Sequence, residues 1–421
     1  MSTRNAVAGL ALLMGLASPG AALAEELTVW SHWADQEAKV KFLESAARAF
    51  EQAHPGVTVK FVWYQKEPLD AALKTALTAG QGPDIFYAEP NQTEYIDSGL
   101  VLDLSNKIDW SKLEPWAAKV WSHDKGVYGF PLEAWTVETY INSKLMKKAG
   151  VEMPVEGLVG EAFVDAVKQI KTAGITPMAQ GTGDRPFTGA FLTHEILVKK
   201  LGVRDYESLL RGGDVKWTDP RVREALGYAE EIIAAGAFPK SISSLKLGEA
   251  HRYFHTSPGA AMFQTGAFYP SRAFAPPDAG GQPVDFELAI TNGPIPEGAA
   301  CPKCKTIAVG GSFVVNAASK HLDLAVAFLN SMATEEMANK WLETSLVQTG
   351  IKSDPSKIEG ENAGYFRKLA AVNEGVTYTF GTPVQQMRGT PREVFIQTVS
   401  QAFPAGLIGV DEVVEMMDGA R

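Results

Sequence analysis

Groups that most often carry enzyme or metal chemistry are scarce in this sequence. Its 421 residues include two cysteines, Cys301 and Cys304, and 7 histidines. There is no G-x-S-x-G elbow, no G-x-x-x-x-G-K-[ST] phosphate loop and no H-E-x-x-H helix. These absences remove the usual signatures of a serine hydrolase, a nucleotide hydrolase and a zinc peptidase. A glycosidase that uses a pair of carboxylates is not excluded, because 49 acidic residues are present and nothing in the sequence singles out two of them.

An excess of positive charge is also missing. Lys and Arg number 39 against 49 Asp and Glu, which gives a formal charge of −10. Nucleic-acid phosphates require a basic face, so we expect no nucleic-acid partner. Hydrophobic residues at 45% and charged residues at 21% are ordinary globular values. The length predicts two or three folding units of roughly 100–200 residues each.

The first 24 residues have the pattern of a secretory signal peptide. Arg4 is followed by an apolar run at 6–16, which is too short to cross a bilayer. Residues 22–24 form an A-x-A cleavage site. We predict cleavage after Ala24 and export to the periplasm, with a mature charge of 38 − 49 = −11 once Arg4 is removed. A plain N-terminal membrane helix is the alternative, which the short run disfavours. No later apolar stretch approaches ~18 residues.

The two cysteines form a single C-x-x-C motif. In an oxidising compartment this spacing favours a disulfide between Cys301 and Cys304. A zinc site would need a second pair of ligands, which His251 and His255 have the spacing to supply on a helix. Free thiols are the third possibility. We expect the two histidines to be helix-surface residues and predict no metal and no cofactor.

Hydrophobic spacing predicts an alternation of strands and helices at the start of the mature chain. Strands are predicted at 27–30, 57–63 and 84–88, and helices at 40–50 and 69–78. This order is typical of a parallel sheet with helices on both faces. Ligands of such sheets bind outside the carboxyl ends of the strands. The loops at 31–35, 64–66 and 89–94 are therefore candidate binding segments.

Aromatic residues are concentrated at or near the ends of these strands. Trp33, Tyr64 and Tyr87 lie among polar residues such as His32 and Glu89. Sugar rings present C–H faces that stack on aromatic rings, and their hydroxyls need hydrogen-bond partners. The pattern favours a carbohydrate site, while Trp30 and Trp63 are better explained as core residues. For Trp33 the core and the site are equally good explanations.

Later in the chain a second unit is predicted. Residues 161–171 have helical spacing, and Thr218 or Asp219 can cap a helix that begins at Pro220. Residues 313–315 predict a strand, and 322–332 predict an apolar helix.

Short motifs in a fixed order extend through nearly all of the mature chain. They are LTVW at 27–30, FExxHPGVxV at 50–59, GPDI at 82–85, SGLxLxL at 98–104, GxYGxP at 126–131, YINxxL at 140–145, PGAAMxxxG at 258–266, Gly310-Gly311, Ser319-Lys320 and the 325–329 helix. In these motifs and their spacing the sequence resembles the extracellular solute-binding proteins of bacterial ABC importers, in the carbohydrate-binding family that includes maltose-binding proteins.

The resemblance implies an α/β, two-lobe periplasmic binding protein fold with a hinge of about three chain crossings. Crossings are expected near 131–137, 288–292 and 336–342. The N-terminal lobe would comprise 25–132 plus 293–337, and the C-terminal lobe 133–292 plus 338–421.

The resemblance also implies a function. The protein would capture a carbohydrate (sugar, oligosaccharide or polyol) and deliver it to a membrane permease, acting as a monomer without catalysis. A secreted carbohydrate-active enzyme is the alternative from another class. A metal- or anion-binding member of the wider superfamily is a third, although the tyrosine pair that iron-binding relatives usually carry is absent here.

The ligand contacts that the resemblance and the strand-end rule imply come from both lobes. They are His32, Trp33, Asp35, Tyr64, Glu89, Asn91, Glu133, Trp135, Asp184, Arg185, Phe187, Phe268, Gly311, Ser312 and Arg388. Such residues suit neutral sugars, because charged groups make strong hydrogen bonds to hydroxyls. Equally, Arg185 or Arg388 would suit an acidic sugar or a phosphate. The contacts do not identify the sugar.

Overall fold

A computed structural model of the protein describes residues 25–421, apart from the side chain of Glu67. The predicted signal peptide at 1–24 lies outside the described residues. The strands are β1 Glu25–Ser31, β2 Val57–Trp63, β3 Ile85–Ala88, β4 Ser122–His123, β5 Gly126–Val127, β6 Phe130–Asn142, β7 Leu158–Val159, β8 Thr176–Ala179, β9 Ala260–Gly266, β10 Leu288–Thr291, β11 Pro294–Ile295, β12 Cys304–Val315 and β13 Thr377–Phe380.

Helices connect and cover these strands. The α-helices are α1 Glu37–Ala53, α2 Lys66–Thr78, α3 Glu94–Asp97, α4 Pro115–Val120, α5 Ser143–Ala149, α6 Glu161–Thr172, α7 Phe191–Leu210, α8 Pro220–Ala234, α9 Leu247–His255, α10 Pro270–Ala273, α11 Leu322–Met332, α12 Glu335–Ser345, α13 Ala363–Val372, α14 Pro383–Gln386, α15 Gly389–Val394, α16 Ser400–Ala402 and α17 Val410–Gly419. Short 3₁₀ turns span Trp110–Lys112, Pro186–Ala190, Pro277–Ala279 and Pro355–Lys357, and Phe395–Val399 is a π-helix.

The first three strands form the predicted parallel ladder. Strand β1 pairs in parallel with β2 on one side and with β3 on the other. All four residues of β3 are buried, as expected of a strand covered on both faces. Strand β2 is at the edge of the sheet, where Val59 alone among its residues is buried. The prediction of this β-α-β-α-β unit is confirmed.

Two long antiparallel strands continue the sheet into the second half of the molecule. The order is β2-β1-β3-β12-β6-β9-β8, with β10 paired to β6 and β13 paired to β12. The sequence predicted only residues 313–315 of β12 as a strand and did not predict β6 as one. Nearly every residue of both strands is buried, so neither shows the alternation that identifies a half-exposed strand.

Each half of the fold has its own core. One cluster joins Phe42 of α1, Phe328 of α11 and Trp341 of α12 to the first strands. Another joins helices α6, α7 and α8 to α17. Because α12 packs on α1, these contacts favour a third crossing after Ser345. Residues Pro294–Ile295 pair with Leu158–Val159, which favours the second half for that segment. The lobe limits themselves stay a prediction.

Local signals agree with several helix starts. The helix predicted at Pro220 begins there, and the side chain of Asp219 accepts a hydrogen bond from the backbone N–H of Arg221 at 2.9 Å. Helix α6 covers the predicted 161–171, and α11 has the predicted bounds 322–332. Within residues 25–421, we find no helix with the length and apolar character needed to span a bilayer.

The C-x-x-C motif forms a turn at the start of β12, with Pro302 and Lys303 exposed and Cys304 buried. The Sγ atoms of Cys301 and Cys304 are bonded to each other directly before β12. His251 and His255 are buried, so the prediction that they are surface residues is wrong. Helix α9 turns both rings onto β9 and its following loop, where His255 Nδ1 is 3.0 Å from the hydroxyl of Tyr269.

Candidate functional site

A cleft with a volume of about 710 Å³ lies where the predicted ligand loops meet. One wall comes from the residues after β1, β2 and β3, and the opposite wall from the residues after β8 and β9. Strands β6 and β12 contribute its floor. The predicted contacts that line this cleft are His32, Trp33, Asp35, Glu89, Glu133, Trp135, Arg185, Phe187 and Phe268.

The floor is built around Trp33, which is 1% exposed. Its ring packs 5.5 Å from the ring of Trp341 and edge-on against Phe313 at 5.9 Å. The ring also lies over Gly311, where an added Cβ would be 2.2 Å from Cζ2 of Trp33. Trp33 is therefore both a core residue and part of the cleft floor. Glycine at 311 is required by the close approach of the indole.

A buried ion pair joins the start of α1 to β6. Lys39 Nζ contacts the carboxylate of Glu133, and both residues are less than 10% exposed. The ammonium group also lies 5.0 Å from the centre of the Trp33 ring, close enough for a cation–π contact. Gly310 leaves room for the carboxylate, because an added Cβ would be 2.8 Å from Glu133 Oε1.

A second charged group lies at the end of β3. Oε1 of Glu89 accepts hydrogen bonds from Lys66 Nζ at 2.6 Å and from the Tyr87 hydroxyl at 2.8 Å. The His32 ring lies 3.7 Å from that of Tyr87. Burial, followed by the charges of Lys39 and Lys66, lowers the pKa of His32 to about 2.

His32 is therefore neutral at physiological pH and offers one hydrogen-bond donor and one acceptor. Among the described residues, its buried Nδ1 has no hydrogen-bond partner. A buried polar atom without a partner is costly, so a bound molecule that hydrogen-bonds to this nitrogen would be favoured.

The second lobe contributes aromatic rings to the cleft. Trp135 is half-buried and lies 5.3 Å from the ring of Phe268 at an interplanar angle of 78°. Gly266 makes this packing possible, since an added Cβ would be 2.2 Å from Cε1 of Phe268. Phe187 lines the same wall. The arrangement presents apolar rings opposite charged and neutral hydrogen-bonding groups.

Three predicted contacts lie next to the cleft rather than on its lining. Tyr64 packs against Trp30, with ring centres 5.2 Å apart. Asn91 follows Glu89, and its Oδ1 is buried without a partner among the described residues. Asp184 accepts a hydrogen bond from the backbone N–H of Leu247 at 2.7 Å, so its carboxylate fixes the start of α9.

The remaining three belong to the strands or to another cavity. Gly311 lies beneath Trp33, and the Ser312 hydroxyl accepts a hydrogen bond from Nε1 of Trp121 at 2.9 Å. Arg388 lines a second cavity of about 860 Å³. Whether any of these residues contacts a ligand stays a prediction.

Lys39 and Arg272 line the cleft without having been predicted. Lys66 and Tyr87 also line it; the first lies in the predicted segment 64–66 and the second was among the strand-end aromatics, although neither was a predicted contact. For Lys39 a signal was present in the sequence. Phe42 and Leu43 follow Lys39 by three and four residues, so the three residues share the buried face of α1. A buried lysine requires a partner for its charge. Arg272 had no comparable signal, because its position depends on how the four-residue helix α10 packs after β9.

Metal ligation receives no support from this arrangement. Within residues 25–421, no group of three or more His, Cys, Asp and Glu side chains has a spacing suited to a metal ion.

A cleft between two α/β lobes, closed at its base by strands common to both, is the architecture of a binding protein that encloses its ligand. Comparison with known families agrees. The profile of the bacterial extracellular solute-binding protein family matches residues 33–339. The chain belongs to this family.

Individual relatives include sugar-binding proteins. A lactose-binding protein of Rhizobium radiobacter is 27% identical over 158 residues, which are 36% of this chain and 37% of that protein. A maltotriose-binding protein of Pyrococcus abyssi is 30% identical over 132 residues, 29% of this chain and 27% of that protein. The chain thus matches about a third of the length of these curated relatives.

Similarity in fold extends over the whole described chain. The apo form of RafE from Streptococcus pneumoniae superposes with a TM-score of 0.73 at 19% identity, covering 95% of this chain and 99% of RafE. This likeness confirms the predicted two-lobe α/β fold.

Proposed function

We propose that this protein captures a carbohydrate between its two lobes and delivers it to the membrane permease of an ABC importer. The observation that carries the proposal is the pairing of chemistries across the cleft. The rings of Trp135, Phe187 and Phe268 line the same cleft as the polar groups of His32 and Glu89. A sugar has apolar C–H faces and a rim of hydroxyls, and this cleft complements both. The sugar-binding relatives support the same class of ligand.

Delivery to a permease is proposed from family membership. The protein would be exported, cleaved after Ala24 and active in the periplasm as a monomer. Capture requires that the ligand contact both lobes, because only differential contact can shift an equilibrium between open and closed forms. The lining of the cleft by residues from both halves of the chain supports this requirement.

We further propose that the protein does not alter its ligand. Of the four carboxylates that line the cleft, Glu89, Glu133 and Glu37 are engaged by Lys66, Lys39 and Lys41, and Asp35 alone has no ion-pair partner among the described residues. A glycosidase instead keeps one carboxyl group protonated as a general acid and leaves the second free to act as a base or nucleophile. Incubation of the bound sugar with protein at catalytic concentration, followed by chromatography, tests this statement. Release of a shorter product would contradict it.

The carbohydrate proposal is tested first by a thermal-shift screen of sugars, oligosaccharides, polyols and sugar acids. A ligand at 100 times its dissociation constant stabilises the folded protein by about 2.7 kcal/mol, enough to raise the melting temperature by a few degrees. A response confined to one class of carbohydrate is the expected outcome. A folded protein that responds to no member of the panel would contradict the proposal.

Replacement of Trp135 is expected to weaken binding of the identified sugar. The Trp135→Ala variant should lose at least a factor of ten in affinity, about 1.4 kcal/mol, because it removes a half-buried ring from the cleft wall. Isothermal titration calorimetry measures this loss. The matched control is Trp110→Ala, which removes a half-buried tryptophan on a 3₁₀ turn outside the cleft lining. Equal affinities for the two variants would remove Trp135 from the site.

A further inference from the structure

Four cations (Lys39, Lys66, Arg185 and Arg272) and four carboxylates (Asp35, Glu37, Glu89 and Glu133) line the cleft, but they do not all form ion pairs with one another. Lys39 is paired with Glu133, and Lys66 with Glu89. Arg185, which precedes the 3₁₀ turn Pro186–Ala190, lines the same cleft. So does Arg272, on α10. No described carboxylate lies within 4.0 Å of either guanidinium. Two unpaired cations thus remain on one wall of a chain whose formal charge is −10.

Arg185 and Arg272 line the same cleft, and the positive charge of Arg185 disfavours the charged form of Arg272. Loss of hydration, and then the charge of Arg185, lower the pKa of Arg272, whereas Asp184 acts in the opposite direction. The Asp184 carboxylate is already used, since it accepts the backbone N–H of Leu247 at 2.7 Å. An anion placed between the arginines would relieve their repulsion, and a guanidinium presents paired donors that match a carboxylate.

The second cavity is also basic, and it lies beside the cleft. Glu89 lines the cleft, and the next residue, Pro90, lines the cavity. Lys119, Lys216 and Arg388 line it too, and no described carboxylate lies within 4.0 Å of these cations.

The described contacts of these three cations are with neutral groups. Lys119 Nζ lies 4.5 Å from the centre of the Phe380 ring, and Lys216 and Arg388 donate to main-chain carbonyl oxygens. Glu207, the single carboxylate among the described lining side chains, lies 3.9 Å from Arg211.

We infer that the ligand is an acidic oligosaccharide, with one anionic group bound by Arg185 and Arg272 and another facing Lys119 and Arg388. This inference rests on the proposed function and assigns the class of sugar. A neutral sugar would leave cations facing one another in a cleft that excludes water as it closes, which costs free energy. An acidic oligosaccharide that occupies both cavities would instead place its anionic groups next to these cations. The shared chemistry is the anion, whether a uronate carboxylate or a sulfate ester.

The inference is tested by calorimetry with matched trisaccharides: trigalacturonate, a sulfated trisaccharide and neutral maltotriose. We expect an acidic trisaccharide to bind at least 100-fold more tightly than the neutral one. Its affinity should fall as sodium chloride is raised from 50 to 500 mM, because salt screens the contacts. A preference for trigalacturonate or for the sulfated sugar identifies which anion is bound.

Variants distinguish binding at a specific cationic site from non-specific electrostatic attraction between the ligand and the protein. Arg185→Gln and Arg272→Gln should each reduce the ratio of acidic to neutral affinity at least tenfold. The control Arg367→Gln removes an exposed arginine on α13 outside both cavities and should leave the ratio unchanged. Tight binding of the neutral sugar with no acidic preference would overturn the inference and leave the proposed function standing. Binding of no saccharide at all would overturn both.

Discussion

His32 is held by its surroundings in the uncharged form. Its ring lies against Tyr87, the cations of Lys39 and Lys66 are near, and the carboxylates of Glu89 and Glu133 are occupied by those same lysines. In the unfolded chain the imidazole titrates near its ordinary pKa of about 6.5. The unfolded state therefore binds a proton, between about pH 6.5 and 2, that the folded state does not bind.

This difference predicts acid sensitivity. Stability is lost as the pH falls below about 6.5, by at most about 1.4 kcal/mol per pH unit from this group. In His32→Gln that contribution is absent, so the gap in unfolding free energy between wild type and variant should narrow from pH 7 to pH 5. Urea unfolding at each pH measures the gap. A gap for His32→Gln that stays constant from pH 7 to pH 5 would contradict the prediction.

At the scale of the element, β12 carries the features that most constrain the site. Its pairing with β6 is irregular between Val309 and Ser312, where Gly310 and Gly311 interrupt the register. An added Cβ at Gly311 would clash with Trp33, and one at Gly310 would clash with Glu133. Two adjacent residues without side chains thus allow an indole and an ion pair to approach the strand.

Gly311→Ala is therefore expected to destabilise the protein by about 1–3 kcal/mol, the usual cost of overpacking, and to weaken ligand binding by displacing Trp33. Thermal unfolding and calorimetry measure the two effects. Gly227→Ala on α8 is the matched control, because nothing lies within 4 Å of the added Cβ. It should be neutral or stabilising by up to about 1 kcal/mol, since alanine is favoured over glycine in helices. Equal stability of the two variants would mean that Trp33 moves aside without cost.

Elements with a regular pattern were predictable, and those with buried polar residues were not. Strands β1 to β3 and helix α1 follow simple spacing rules. Strand β6 includes Glu133, Thr136 and Glu138 in buried positions, so its amino-acid sequence is unlike that of a typical core strand. Those residues are tolerated because they are paired over long sequence distances, as when Lys305 Nζ contacts Glu138 at 2.7 Å. Sequence order alone does not reveal such pairs.

The same distinction applies to the site. Trp33 and Glu89 could be predicted because each follows a recognisable strand. The position of Arg272 in the cleft, without a carboxylate partner, could not be predicted, because it depends on the packing of loops from distant parts of the chain.

At the scale of the whole molecule, we expect the proposed ligand to bring the lobes together. A compact chain of this length has a radius of gyration of about 21 Å. Small-angle X-ray scattering should show a larger radius without ligand and a decrease toward this value at saturating ligand. Trp135→Ala at the same ligand concentration should stay closer to the unliganded value. An unchanged radius for the saturated wild type would contradict closure.

Of the segments predicted to connect the lobes, strand β6 is hydrogen-bonded both to β12 and to the segment after α12. Strand β12 pairs with β6 from Ile307 to Phe313. In the segment after α12, Gln348 accepts hydrogen bonds from the backbone N–H groups of Ala134 and Thr136 of β6 at 2.9 Å each. Because paired strands resist sliding past one another, we expect the lobes to move chiefly by bending of these strands where the register is broken at Gly310 and Gly311. We expect a hinge that bends in one direction rather than one that lets the lobes rotate freely. Opening and closing would then follow essentially one coordinate, and the lobes would reach the closed form without a three-dimensional search.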